Sequence, residues 1–220
     1  MVHITKAFFS FIFICSIFIS AQKAYAQSYY SGREKNIRLG LSVNPNLGWL
    51  RYENDQESSP KLGFSYGLIA DLGFAKNYYF STGLLINSIN SRTEPVFLNI
   101  DQNDFAIPDY KDISLKYVEV PLTIKLKSTE NELGRFYGQF GFTAGVKVSA
   151  KEKYEGDDKR SMSGADLFRL GLQIGGGAEW RLGNDMGFMT GLTFNNGFTR
   201  AIKDGKPRSS YAAVNIGLLF

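Results

Sequence analysis

The chain has 220 residues, of which 25 are Lys or Arg and 21 are Asp or Glu, for a formal net charge of +4. Its one cysteine and one histidine, Cys15 and His3, both fall within the first 26 residues. This balance excludes the basic footprint of a nucleic-acid binder and a disulfide framework. Beyond residue 26 it also excludes any site that needs an imidazole or a thiolate.

The first segment reads as an export signal. Met1 to Lys6 is basic, Ala7 to Ser20 is a short apolar run, and Ala24-Tyr25-Ala26 before Gln27 is a small-x-small cleavage site. The apolar run is shorter than the ~20 residues of a membrane-spanning helix. Bulky Ile14 before Cys15 argues against lipoprotein processing. Cleavage after residue 26 would remove Lys6 and Lys23 from the 25 basic residues, leaving 23 against 21 acidic ones, a net charge of +2. Residues 27–35 form a short polar tail, and 36–220 are expected to be one domain.

From Asn36 onward the sequence breaks into runs with a period of two. In chain order they are Asn36–Trp49, Gly63–Phe74, Tyr78–Ile89, Leu115–Leu126, Arg135–Ser149, Leu167–Trp180, Gly187–Phe198 and a closing run, Tyr211–Phe220. Period-two alternation with β-branched, aromatic and Gly residues predicts strands rather than helices. Each run exceeds the usual soluble strand and suits a tilted strand crossing a bilayer. The connections alternate between long and short, as outer-membrane barrels alternate extracellular loops with periplasmic turns.

The two faces differ in kind. In the fourth run Val118, Val120, Leu122, Ile124 and Leu126 share one face, and Tyr117, Glu119, Pro121, Thr123 and Lys125 share the other. The fifth and sixth runs repeat the division, one face apolar and the other mixing glycine with charge. A soluble lipocalin-like barrel carries its apolar side chains inside, so the arrangement predicts the reverse, apolar outward against lipid. The expected fold is an all-β, eight-stranded, antiparallel, up-and-down transmembrane β-barrel. Aromatics near the run ends (Trp49, Tyr78, Tyr79, Trp180, Phe188, Phe198, Tyr211 and Phe220) suit interfacial girdles.

Three segments carry a family resemblance: Tyr117-Val-Glu-Val-Pro-Leu-Thr-Ile-Lys125, Asn77-Tyr-Tyr-Phe-Ser-Thr-Gly-Leu84 and Gly171-Leu-Gln-Ile-Gly-Gly-Gly-Ala-Glu179. They resemble the outer-membrane β-barrel domain family widespread in Bacteroidota, which includes PorT-like members. The resemblance implies an outer-membrane location. It also implies insertion by the barrel-assembly machinery, which reads a C-terminal strand ending in an aromatic such as Phe220. It fixes location better than role.

The candidate site is the inward charge set Arg38, Asp71, Glu119, Lys125, Lys147, Arg169 and Glu179. These groups could line a narrow channel or bind a small solute. Alternatively they fill the lumen as a neutralised plug, since eight strands enclose a space about as wide as their own side chains. The plug is the expected reading, with loops at Asn90–Ser114 and Ala150–Asp166 left to meet surface ligands or protein partners. No catalytic residue, cofactor or metal is expected. Glu155, Asp157 and Asp158 could hold Ca²⁺ weakly, but Lys159 and Arg160 beside them argue for a solvated loop.

Overall fold

The computed structural model describes residues 37–52, 58–93, 110–129, 131–154, 158–183, 186–203 and 205–220. The expected signal peptide (1–26) and tail (27–35), with Glu155 and Asp157, lie outside the described residues. The strands are β1 Ile37–Arg51, β2 Ser58–Ala75, β3 Tyr78–Thr93, β4 Lys111–Lys127, β5 Gly134–Tyr154, β6 Arg160–Ser161, β7 Phe168–Gly183, β8 Met186–Arg200 and β9 Arg208–Leu219.

Eight of these are long, and each pairs antiparallel with the next; β6 adds only two pairs at the top of β5. The ring closes where β9 meets β1, so both sides of β9 are paired. Phe220 extends that seam, donating to the Leu39 carbonyl at 2.8 Å and accepting from the Leu39 N–H at 3.2 Å. The β1–β9 register skips Asn44 and Pro45, and the β3–β4 register skips Val120 and Pro121. A proline has no N–H to give a ladder, so each interruption sits where its sequence demands.

The connections on one rim run over residues 52–57, 94–110, 155–167 and 201–207. On the other they are 76–77, 128–133 and 184–185. The tightest of these turns is made by Asn77 at φ 67°, a left-handed conformation that asparagine tolerates. Short turns belong to the periplasm and longer loops to the exterior.

The strands reach higher toward the outer rim than their apolar alternation suggests. β2 begins at Ser58 rather than Gly63, β4 at Lys111 rather than Leu115, and β5 runs on to Tyr154. The reason is an inversion of polarity along the barrel. Through the membrane the outward face of β4 is Val118, Val120, Leu122, Ile124 and Leu126, while Tyr117, Glu119, Thr123 and Lys125 are buried inside. Above Val118 the outward residues become Lys116, Ser114 and Asp112, and the inward ones become Leu115 and Ile113.

On β5 a bulge opposite Lys116 and Tyr117 makes the same change, putting Ala150 inside and Lys151 and Lys153 outside. Leu50, Ile89, Ile113, Leu115 and Ile202 thus form an apolar stopper inside the outer mouth. In water the hydrophobic effect favours this packing; within lipid it favours the opposite one. β4 and β5 therefore each join a membrane segment to a water-facing one.

Candidate functional site: a layered charge network in the lumen

Most of the inward charges fall into two layers. Nearest the periplasm, Asp71 accepts from Ser81 Oγ (2.7 Å), Lys125 Nζ (2.9 Å) and Lys127 Nζ (2.8 Å). Glu179 lies 2.7 Å from Lys127 Nζ, 3.0 Å from Arg135 Nε and 3.0 Å from Arg38 Nη1. Tyrosine faces back the cations, with Lys127 4.1 Å from the Tyr79 ring centroid and Lys125 5.0 Å from that of Tyr137. Two carboxylates hold four cations in this layer.

The outer layer is a single pair. Arg169 Nη1 donates to Glu119 Oε1 at 3.0 Å, with both side chains buried. Its other nitrogens reach Ser209 Oγ (2.9 Å) and Asn195 Oδ1 (2.6 Å), and the guanidinium lies 5.2 Å from the Tyr211 ring. Asn87 Nδ2 and Tyr211 OH complete Glu119, at 3.0 and 3.1 Å. The register explains the fit. Glu119, Gly145 and Arg169 lie side by side on β4, β5 and β7. A Cβ on Gly145 would stand 3.1 Å from Glu119 Cγ, so the missing side chain leaves Arg169 room to cross the intervening strand.

Between the layers the lining is neutral. Thr143 donates to Gln173 (2.9 Å), Asn195 to Thr143 (2.9 Å) and Asn215 to Thr193 (2.6 Å). A cavity of about 60 Å³ remains beside Ser42, Asn44, Lys125, Gln173 and Asn215, room for a few waters and little more. A small solute would find the charged layers and the apolar stopper on either side of it.

The structure brings six of the seven sequence candidates into these layers. Lys147 stands apart, donating to the Ala165 main-chain carbonyl. Two members were missed, Lys127 and Arg135. Lys127 lies one period beyond Lys125, and Arg135 one before Tyr137, so extending the alternation past the apolar ends would have found both. Two aromatics expected in the girdles, Tyr79 and Tyr211, instead face the lumen and are buried, because each has inward parity on its strand. Outward aromatics do pair near the strand ends, Trp49 with Phe194 (6.0 Å) toward the outer rim and Phe74 with Tyr78 (6.2 Å) at the other, while Phe142, opposite Leu122 at mid-strand, lies 6.5 Å from Phe198. Trp180, near the end of β7, has its indole N–H bonded to Thr190 at 2.9 Å. Among the described residues no three His, Cys, Asp or Glu side chains converge as a metal site would require.

This chain is similar to solved structures. OprG of Pseudomonas aeruginosa is 12% identical, with 86% of this chain and 96% of that one covered at a TM-score of 0.50. Neisserial surface protein A is 10% identical, with 84% and 98% covered at 0.48. No curated protein matches the sequence. The model of the outer membrane protein beta-barrel domain matches residues 21–204. That match covers most of a chain that folds as a closed eight-stranded barrel, and this chain belongs to the outer membrane protein beta-barrel domain family, resident in the outer membrane.

Proposed function

We propose that this barrel is a sealed scaffold that presents its long connections to partners or ligands at the cell surface, and that it neither conducts solutes nor catalyses a reaction. The observation that supports this is the lumen: two buried charge layers, a cavity of about 60 Å³ between them, and an apolar stopper above. Moving an ion through would require parting a buried pair, which costs about 3–5 kcal/mol. The absence of histidine and cysteine beyond residue 26 removes the usual nucleophile and base chemistry.

In this reading residues 1–26 direct export and are cleaved. The closing strand with Phe220 is the signal taken by the barrel-assembly machinery. The PorT-like resemblance suggests a partner within a secretion system, which a secretome comparison after gene deletion would reveal; an unchanged secretome would remove that role. The test of the sealed lumen is single-channel recording in a planar bilayer. Purified barrel should give a flat baseline, and stable unitary steps would instead establish a narrow channel.

A further inference from the structure

The cavity between the two charge layers is lined by one charged side chain, Lys125, and by no carboxylate. Lys125 Nζ donates to both oxygens of Asp71, at 2.9 Å each. An ammonium has three N–H donors. The third finds the Met189 sulfur at 3.9 Å, a weak acceptor. Asp71 is shared as well, since it also holds Lys127 at 2.8 Å, with both of those side chains fully buried. Lys125 therefore divides its carboxylate with a second buried ammonium.

The rest of the lining offers hydrogen-bond donors. Ser65 is 4% exposed and faces the cavity. Among the described residues, neither its hydroxyl nor the Gln139 carboxamide has a protein hydrogen-bond partner. Gln173 accepts at its amide oxygen from Thr143 (2.9 Å), which leaves its N–H groups to the cavity. Register brings these groups together, for Gln139 lies opposite Lys125 on β4 and opposite Gly175 on β7. A Cβ on Gly175 would stand 3.3 Å from Gln139 Nε2, so the glycine leaves that amide its room. Buried donors without acceptors are costly, and here they converge beside an ammonium.

We propose that this cavity binds one small monovalent anion of the halide class, enclosed as the barrel closes. A halide accepts hydrogen bonds from Lys125, Ser65, Gln139 and Gln173 together, and it matches the ammonium charge in a low-dielectric interior. A cation would meet Lys125 with no carboxylate to hold it. Size selects as well: about 60 Å³ admits an ion little larger than water and excludes a sugar acid or a phosphate ester. The anion is a resident of the plug, held between the charge layers without passing them. Its occupancy is independent of the sealed-lumen reading; only its slow escape rests on that reading.

The test uses bromide and rubidium as probes on the full barrel, refolded in detergent and desalted into gluconate, a larger anion. Elemental mass spectrometry should find bromide retained at about one per barrel and no rubidium. At equal ionic strength, bromide or chloride should raise the temperature of the gel shift above its value in gluconate. Ser65→Ala/Gln139→Leu should weaken bromide binding about tenfold or more. Lys125→Met should abolish it, while Asp71 keeps Lys127 and Ser81. Lys147→Met, outside the cavity lining, should bind as wild type does. Crystals of the unaltered barrel grown in bromide should show an anomalous peak within hydrogen-bond distance of Lys125 and Gln139, so the result stands even where a variant fails to fold. No anomalous peak there, retained rubidium, or folded cavity variants that bind bromide as wild type does would overturn the proposal. Bromide seen in the crystal but lost on desalting would keep the site and count against the sealed lumen.

Discussion

Arg169 and Glu119 hold each other inside the barrel with partners on every side, so removing one leaves the other charged and buried. Arg169→Met should therefore destabilise the folded barrel by about 3–5 kcal/mol, and the double variant Glu119→Met/Arg169→Met should recover part of that loss. Urea titration followed by gel shift measures both; a single variant as stable as the wild type would mean the pair contributes nothing. Asp112 behaves differently because it lies above the membrane band, on the outward side of β4. Hydrogen bonds from Arg92, then Lys61 and the charges of both, hold its carboxyl down to about 2 against the upward push of partial burial. An unfolded aspartate titrates near 3.9. The stability this supplies is therefore complete above pH ~4 and is lost as the pH falls through about 2. A carboxyl NMR titration should show that midpoint, and Arg92→Gln should move it up toward 3.9. Inward charges such as Asp71 and Glu119 were legible in the sequence because parity alone assigns them a face. Their partners were not, since pairing such as Asp71 with Lys127 across 56 positions depends on strand order and register.

The closing strand shows what an element adds beyond its residues. β9 is paired along both edges, and the Phe220 main chain is itself locked to Leu39, while its side chain is about half exposed at the periplasmic rim. Its ring thus contributes little to packing within the folded barrel, which leaves it available for recognition before folding. Phe220→Ser should refold in detergent with an unchanged heat-shifted band, yet accumulate less in the outer membrane of expressing cells. Equal accumulation would argue against an assembly role, and failure to refold would assign the ring a packing role instead. Strand number, order and facing were legible because lipid imposes a strict alternation on the middle of each strand. The strand tops were not. Above Val118 water replaces lipid and the alternation inverts, so a pattern sought as apolar-outward ends there although the hydrogen-bonded ladder continues to Lys111.

That inversion fixes the height of the whole molecule in its membrane. On β4 the apolar outward face runs from Val118 to Leu126, within the ~9–11 residues that a tilted strand needs to cross. On β1 it stops between Trp49 and Arg51, and on β5 at the bulge after Val148. On each of these three strands the next outward charged residue is basic: Arg51 on β1, Lys116 on β4 and Lys151 on β5. Because the sequence has no cysteine beyond Cys15, single cysteines can map this level without background once residue 15 is absent or replaced by serine. With the barrel in lipid vesicles, Val118→Cys, Val148→Cys and Leu47→Cys should resist a charged, membrane-impermeant thiol reagent. Ser114→Cys, Lys151→Cys and Arg51→Cys should react quickly from the outer-rim side. The difference should exceed about tenfold within each pair, since the reagent must leave water to reach the first set. Similar rates across a pair would place the boundary elsewhere.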